Sequence, residues 1–266
     1  MTKNNYQIEE KPLITGEKPI KPHGMSSEKA RRVKTRGHKK EYIYATLIGG
    51  KVIKGPRKAD VMDSRGKIHS LKGGGEIKGG EGRKGKWQIF LHKASKFKKN
   101  TGFYGRDIFV KILKSYPKDY DDYQRQKERT KSKIIPYMKE LRKYLTSYRK
   151  KYNFLDKAFF EKKVDYFVIY HEDTFYIYDR NEISKVFTKV LSVENNSTFQ
   201  KVVFKYNDRI IGEIEVRTTD DGKYPSMLFN MLKLRAVDLL EKEIPKIEKL
   251  NPNLYTCGKA IDSLTL

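Results

Sequence analysis

A fifteen-residue stretch, KADVMDSRGKIHSLK from Lys58 to Lys72, restricts this chain more than any other, because it reads as a β-hairpin whose register fixes which side chains share a face. Asp63-Ser64-Arg65-Gly66 carries the type I turn signature, Asp first and Gly fourth, and a three-residue Ser-Arg-Gly loop puts glycine at its left-handed position. In that register Asp63 pairs with Lys67 and Asp60 with Ser70. Side chains alternate along a strand and cross-strand partners share a face, so Asp60, Ser70 and Lys72 project together while Val61 and Leu71 point toward a core. A carboxylate and an ammonium then sit side by side. The alternative for the same residues is a surface hairpin whose Asp60 and Lys72 are merely solvated.

Upstream, GHKKEYIYATLIGG over residues 37 to 50 has apolar residues at Ile43, Tyr44, Leu47 and Ile48, which is helical spacing, and Gly49-Gly50 is a stop signal. Ala45 and Ile48 lie one and two turns beyond Glu41 on its side of the helix. If that face packs on the hairpin, Glu41 points back at Asp60.

A glutamate-bearing helix, a short strand opening on Asp, a hairpin and then x-x-Lys resembles the PD-(D/E)XK nucleases, type II restriction endonucleases in particular, over about residues 36 to 92. Ala59 replaces the family's proline, and Ser70 stands where the family has its second acid. Either Glu41 or, with the register shifted by one, Asp63 is left to replace that ligand. The resemblance implies an α/β (α+β) fold with a mixed central β-sheet flanked by helices, to which further C-terminal strands and helices are added. It also implies a Mg2+-dependent, site-specific double-stranded DNA endonuclease. Asp60 would be the metal-bridging carboxylate and Glu41 a second ligand, with the Leu71 carbonyl a third. Lys72 would orient or deprotonate water, and Ser70 would add a weak ligand or hydrogen bond. The chemistry asks for such a set independently: phosphodiester hydrolysis needs a hard cation held by oxygen ligands and a nearby group to activate water.

Charge points the same way. Lys plus Arg number 58 against 33 acids, a net charge of +25, which calls for a polyanionic partner. Nucleic acid comes first, and an anionic membrane surface is the other polyanion. The single cysteine, Cys257, forms no internal disulfide and builds no zinc site, which fits a reducing cytoplasm and excludes zinc-finger and zinc-deaminase chemistry. No signal-peptide pattern and no run of 18 apolar residues occurs, so a cytoplasmic protein with no membrane span is expected.

Residues 1 to 35 read as an extended basic arm, with Lys-Pro steps and Arg31, Arg32 and Lys34 at its end. Residues 36 to 118 read as the nuclease core. Within it, Gly73 to Lys86 holds seven glycines and four basic residues in fourteen, bringing Arg83, Lys84 and Lys86 near phosphates without the Gly-Lys-Ser/Thr ending of a P-loop. Trp87 to His92 alternates as a third strand pairing with the hairpin, and Gln88 is either a hydrogen-bonding neighbour of the metal or a structural residue. Between Arg83 and Lys118 lie eleven basic residues and one acid, among them Lys96, Lys98, Lys99 and Arg106, interleaved with aromatics; these are the candidate DNA contacts.

Residues 119 to 266 read as the recognition and dimerisation part of a homodimer, since two copies related by a two-fold suit cleavage of both strands of a palindrome. Met138, Leu141, Leu145 and Tyr148 form a helical stripe, either core or dimer seam, with a break at Asn153. Hairpins turn at Glu172-Asp173 and Asn207-Asp208 and flank a helix marked by Ile183, Val186, Phe187, Val190 and Leu191. A buried helix runs from Pro225 to about Glu243. Glu213, Glu215 and Arg217 alternate onto one strand face, forming a solvated or base-reading face, a rival metal centre or an ion-pair ladder. His69 falls on the side opposite Ser70, and neither it nor His92 reads as the base. The competing function class is a non-catalytic basic DNA- or RNA-binding protein.

Overall fold

A computed structural model describes residues 39–53, 58–73, 85–99, 102–103, 105–160 and 164–263. The arm with Arg31, Arg32 and Lys34, and Arg83 and Lys84 of the glycine-rich segment, lie outside the described residues. The fold is α/β, with helices against two sheets. The first sheet is mixed, in the order β1 (Lys51–Val52), β2 (Val61–Met62), β3 (Ile68–Gly73), β5 (Tyr166–His171), β6 (Thr174–Asp179), β12 (Leu254–Cys257), β11 (Lys246–Asn251). The second is antiparallel, in the order β4 (Lys86–His92), β10 (Ser226–Leu232), β9 (Arg209–Arg217), β8 (Val202–Tyr206), β7 (Ser192–Asn195). Among the described residues no helix is long and apolar enough to cross a membrane.

The hairpin takes the register its turn chemistry demands. Val61 pairs with His69 and Met62 with Ile68, which sets Asp60 opposite Ser70. Gly66 donates to the Asp63 carbonyl at 3.1 Å and sits at φ +79°, a conformation that glycine adopts without steric cost. Asp63 turns back into the loop: its carboxylate accepts from the backbone N–H of Arg65 and Lys67 at 2.9 and 2.8 Å. This commits Asp63 to the turn and removes it as a replacement metal ligand.

Alternation splits the first sheet cleanly. Val61, His69, Tyr166, Val168, Phe175 and Ile177 form one buried face, onto which the helix at residues 39–47 (α1) docks through Tyr44, Ala45 and Ile48. Each large apolar side chain so buried contributes roughly 1.5–3 kcal/mol. Ile43, counted above with the apolar positions, faces solvent. Gly49, at φ +61°, ends α1, and the N–H of Gly50 caps the Ala45 carbonyl at 2.7 Å. The opposite face, with Ile68, Phe167, Ile169 and Tyr178, packs into the larger core shared with the second sheet.

Three expectations are corrected. Trp87–His92 is a strand, but it pairs with β10 in the second sheet, because the free edge of β3 is taken by the parallel strand β5. It still touches the hairpin strand through a side chain: Trp87 Nε1 donates to the Gly73 carbonyl at 2.8 Å. The segment after Pro225 is not helical at first. SMLFNML forms β10, hydrogen-bonded on both edges and buried, and the helix α8 (Lys233–Glu243) begins only afterwards. A segment with five apolar residues in seven suits a central strand as well as a helix, and the two pairing partners decide the outcome. Lastly, Asn153 lies inside the helix α6 (Tyr148–Phe160); the break falls before it, after α5 (Lys127–Leu145). Met138, Leu141 and Leu145 are core, while Tyr148 is exposed.

Candidate functional site

Asp60, Ser70, Leu71 and Lys72 form one connected cluster across the hairpin. Asp60 Oδ2 accepts from the Leu71 N–H at 2.6 Å and from Ser70 Oγ at 3.3 Å. Lys72 Nζ lies 3.8 Å from the same oxygen and donates to Ser70 Oγ at 3.1 Å and to the Leu71 carbonyl at 3.0 Å. Ser70 is fully buried, whereas the Asp60 and Lys72 side chains keep 19% and 25% of their surface, so the cluster opens to solvent through its charged members.

Electrostatics distinguish Asp60 from an ordinary ion-pair carboxylate. Burial pushes its carboxyl above the usual range, the Lys72 charge and the Leu71 N–H pull it down, and the negative charge of Glu41 pushes it up again; the net displacement is upward. Glu41 lies on the first turn of α1. The other buried members behave differently. In Asp63 burial also raises the carboxyl, but the Lys67 and Arg65 donors outweigh it and hold it low.

The magnesium that the resemblance implies would meet oxygen donors here. Among the described residues no three or more His, Cys, Asp or Glu side chains are gathered as a metal cage. Among the described residues, the hydrogen bonds that Asp60 accepts fall on Oδ2. Two carboxylates and a main-chain carbonyl suffice for magnesium, which keeps several of its waters and is bound through one or two carboxylates. Asp60, Glu41 and the Leu71 oxygen would hold it.

The remaining candidates scatter. Lys86 is exposed and bound to Glu213 at 2.5 Å on the second sheet. Gln88 is exposed on that sheet, opposite Asn230. Lys96 and Lys98 on α2 (Ala94–Lys98) and the adjoining Lys99 are exposed, and Arg106 is half-buried at the start of α3 (Arg106–Lys114). His69 is buried with Nδ1 2.8 Å from the Tyr44 hydroxyl and its ring stacked on Tyr166. His92 stacks on Phe90.

The rival centre is an ion-pair ladder. Lys201 Nζ lies 3.0 Å from Glu213 and is also paired with Glu215, while Asn230 donates to Glu215 at 3.4 Å. Burial pushes the Glu213 carboxyl up, but hydrogen bonds from Lys86 and Lys201 hold it below the usual range. Lys201 escaped the sequence reading for a definite reason. Counting back from a two-residue turn at Asn207-Asp208 sets Lys201 opposite Ile214, whereas a bulge at Phe204/Lys205 moves the register by one and turns it to the glutamate face. No family model, curated protein or solved structure matches this chain.

Proposed function

We propose that this chain is a magnesium-dependent endonuclease of restriction type that hydrolyses phosphodiester bonds of double-stranded DNA at a specific sequence, as a cytoplasmic homodimer. The observation that carries the reading is the meeting of Asp60 and Lys72 on one partly open face, in a chain of net charge +25. Bound magnesium would supply a Lewis acid for the phosphate oxygens. The chain's own groups would do the rest. Lys72 would present its ammonium to the attacking water and offset charge building on the phosphate, held at that place by Ser70 Oγ and the Leu71 carbonyl. Ser70 would orient Asp60 rather than bind the metal itself, because its hydroxyl is buried between Asp60 and Lys72. Exposed lysines of α2 would meet the sugar-phosphate backbone.

The second reading, a non-catalytic basic nucleic-acid-binding protein, draws on the same contacts. The ammonium of Lys72 already has partners in Asp60, Ser70 and Leu71, as in a structural ion pair. Incubation of the protein with phage DNA and magnesium separates the two. The nuclease gives discrete fragments, and Asp60→Asn and Lys72→Met each slow cleavage by about 10²- to 10⁴-fold while leaving the circular dichroism unchanged. A mobility shift with intact DNA, equal in wild type and Asp60→Asn, establishes binding alone. Cleavage that survives both variants and is lost in Glu215→Ala moves the centre to the second sheet.

A further inference from the structure

The helix α5 carries seven basic residues and two acids, and both acids are already engaged: Glu128 with Lys131 at 3.0 Å and Glu140 with Lys111 at 3.5 Å. Its apolar stripe, including Ile134, Met138, Leu141 and Leu145, is spent on the core, so the opposite side faces water. That side presents Arg129, Lys133, Lys139 and Lys143, all exposed, and none has an acidic partner within 4.0 Å among the described residues. Arg129 and Lys133, and Lys139 and Lys143, stand at i, i+4, where like charges repel. A helix tuned only for solubility would alternate signs at these positions.

The far end of this face is built around a surface cavity of about 370 Å3 lined by Lys139, Arg142, Glu194, Asn195 and Phe199. The one acid in its wall, Glu194, is neutralised by Lys205 at 2.5 Å, which leaves the cavity positive. Lys139 Nζ rests 4.4 Å from the centre of the exposed Phe199 ring. That ring is carried on a tight turn with φ +56°, closed by the Phe199 N–H on the Asn196 carbonyl at 2.9 Å. Arg142 is fixed to the Val193 carbonyl at 3.2 Å, and Asn195 to the Met138 carbonyl at 3.2 Å, so helix and strand present these cations on a rigid seat.

We propose that this outward face of α5, with Lys139 and Arg142 at its end, is a second contact for the sugar-phosphate backbone of the DNA duplex. The assignment rests on DNA being the partner in the reading above. α5 packs on β7 and β8, at the edge of the antiparallel sheet opposite β4, whose Trp87 reaches the end of β3. Four strand spacings separate those edges, roughly 19 Å, so α5 meets flanking duplex rather than the scissile phosphate. An anionic bilayer suits the face less well, because the apolar side of α5 is already buried in the core.

The test is the salt dependence of duplex binding by fluorescence anisotropy without divalent ions. Wild type is compared with a fourfold variant, Arg129→Gln, Lys133→Gln, Lys139→Gln and Lys143→Gln, and with its charge-preserving counterpart, Lys133→Arg, Lys139→Arg and Lys143→Arg. The slope of log K against log salt falls by about 3 to 4 in the glutamine variant, close to 0.9 per lost phosphate contact, and stays near the wild-type value in the arginine variant. An unchanged slope in the glutamine variant, or a loss confined to binding of phosphatidylserine vesicles, overturns the assignment. Cleavage is scored in the same preparations at saturating DNA with magnesium. Absent cleavage with a reduced slope removes the nuclease reading and keeps the α5 contact; cleavage with an unchanged slope does the reverse.

Discussion

Acid should weaken this protein through one buried imidazole. His69 has no accessible surface, accepts or donates one hydrogen bond at Nδ1 with Tyr44, and holds Nε2 3.5 Å from Asp63. Burial depresses its pKa from 6.5 to about 4, against the opposing pull of the Asp63 charge. The neutral ring can accept from Tyr44 at Nδ1 while Nε2–H faces Asp63 without a hydrogen bond; protonation removes the acceptor that Tyr44 uses, on the helix that carries Glu41. The unfolded chain binds a proton below about pH 6.5 and the folded one only near pH 4, so the contribution of His69 is complete above 6.5 and is lost as pH falls to 4. A shift of that size corresponds to about 3 kcal/mol, a large share of a typical stability of roughly 5–15 kcal/mol. Urea unfolding at a series of pH values from about 7.5 to 4.5 reads this directly, with His69→Gln as the reference that keeps a polar partner for Tyr44 but cannot titrate. Wild type should lose more stability than the variant over this range, most steeply below about pH 6. Parallel losses in the two proteins would refute a neutral, buried His69.

Two further outcomes follow from the carboxylates. Glu213→Gln with Glu215→Gln should lower stability by about 1–2 kcal/mol in urea unfolding, a figure reduced for the partial exposure of Lys201, and should leave any cleavage at its wild-type rate. Asp60→Asn should melt at or above the wild-type temperature without divalent ions, because the amide oxygen still accepts the Leu71 N–H while the buried charge is gone; a clear drop in melting temperature by calorimetry would show Asp60 to be a stabilising partner instead.

The hairpin and its charged face were legible because everything that sets them is local: Asp63 and Gly66 dictate the turn, and period-two alternation then carries Asp60, Ser70 and Lys72 to one side. The turns at Glu172-Asp173 and Asn207-Asp208, with φ values from 46° to 59°, were legible for the same reason. What depended on distant partners was not. The division into two sheets hinges on β5 claiming the edge of β3 and on β10 inserting between β4 and β9, choices in which β3 meets a partner 97 residues away and β4 one more than 130 residues away. The Lys201 ladder was hidden by a single bulge, which no residue in VVFKY announces. Ala45 and Ile48 are buried against the first sheet as the helical period predicts, whereas Ile43, which fits that period equally well, turns outward.

The buried acids differ in how their burial is answered. Asp63 and Glu213 are both removed from water and both are held low by donors that outweigh the cost of burial. Asp156, buried in α6, is likewise answered by a two-pronged hydrogen bond from Arg180 at 2.8 and 2.7 Å. Asp60 has a lysine, a hydroxyl and an amide, and is still driven upward, since burial and Glu41 together exceed what those groups supply. An asparagine at this position would keep the amide contact and shed the charge, so stability alone gives no reason for an ionisable group there.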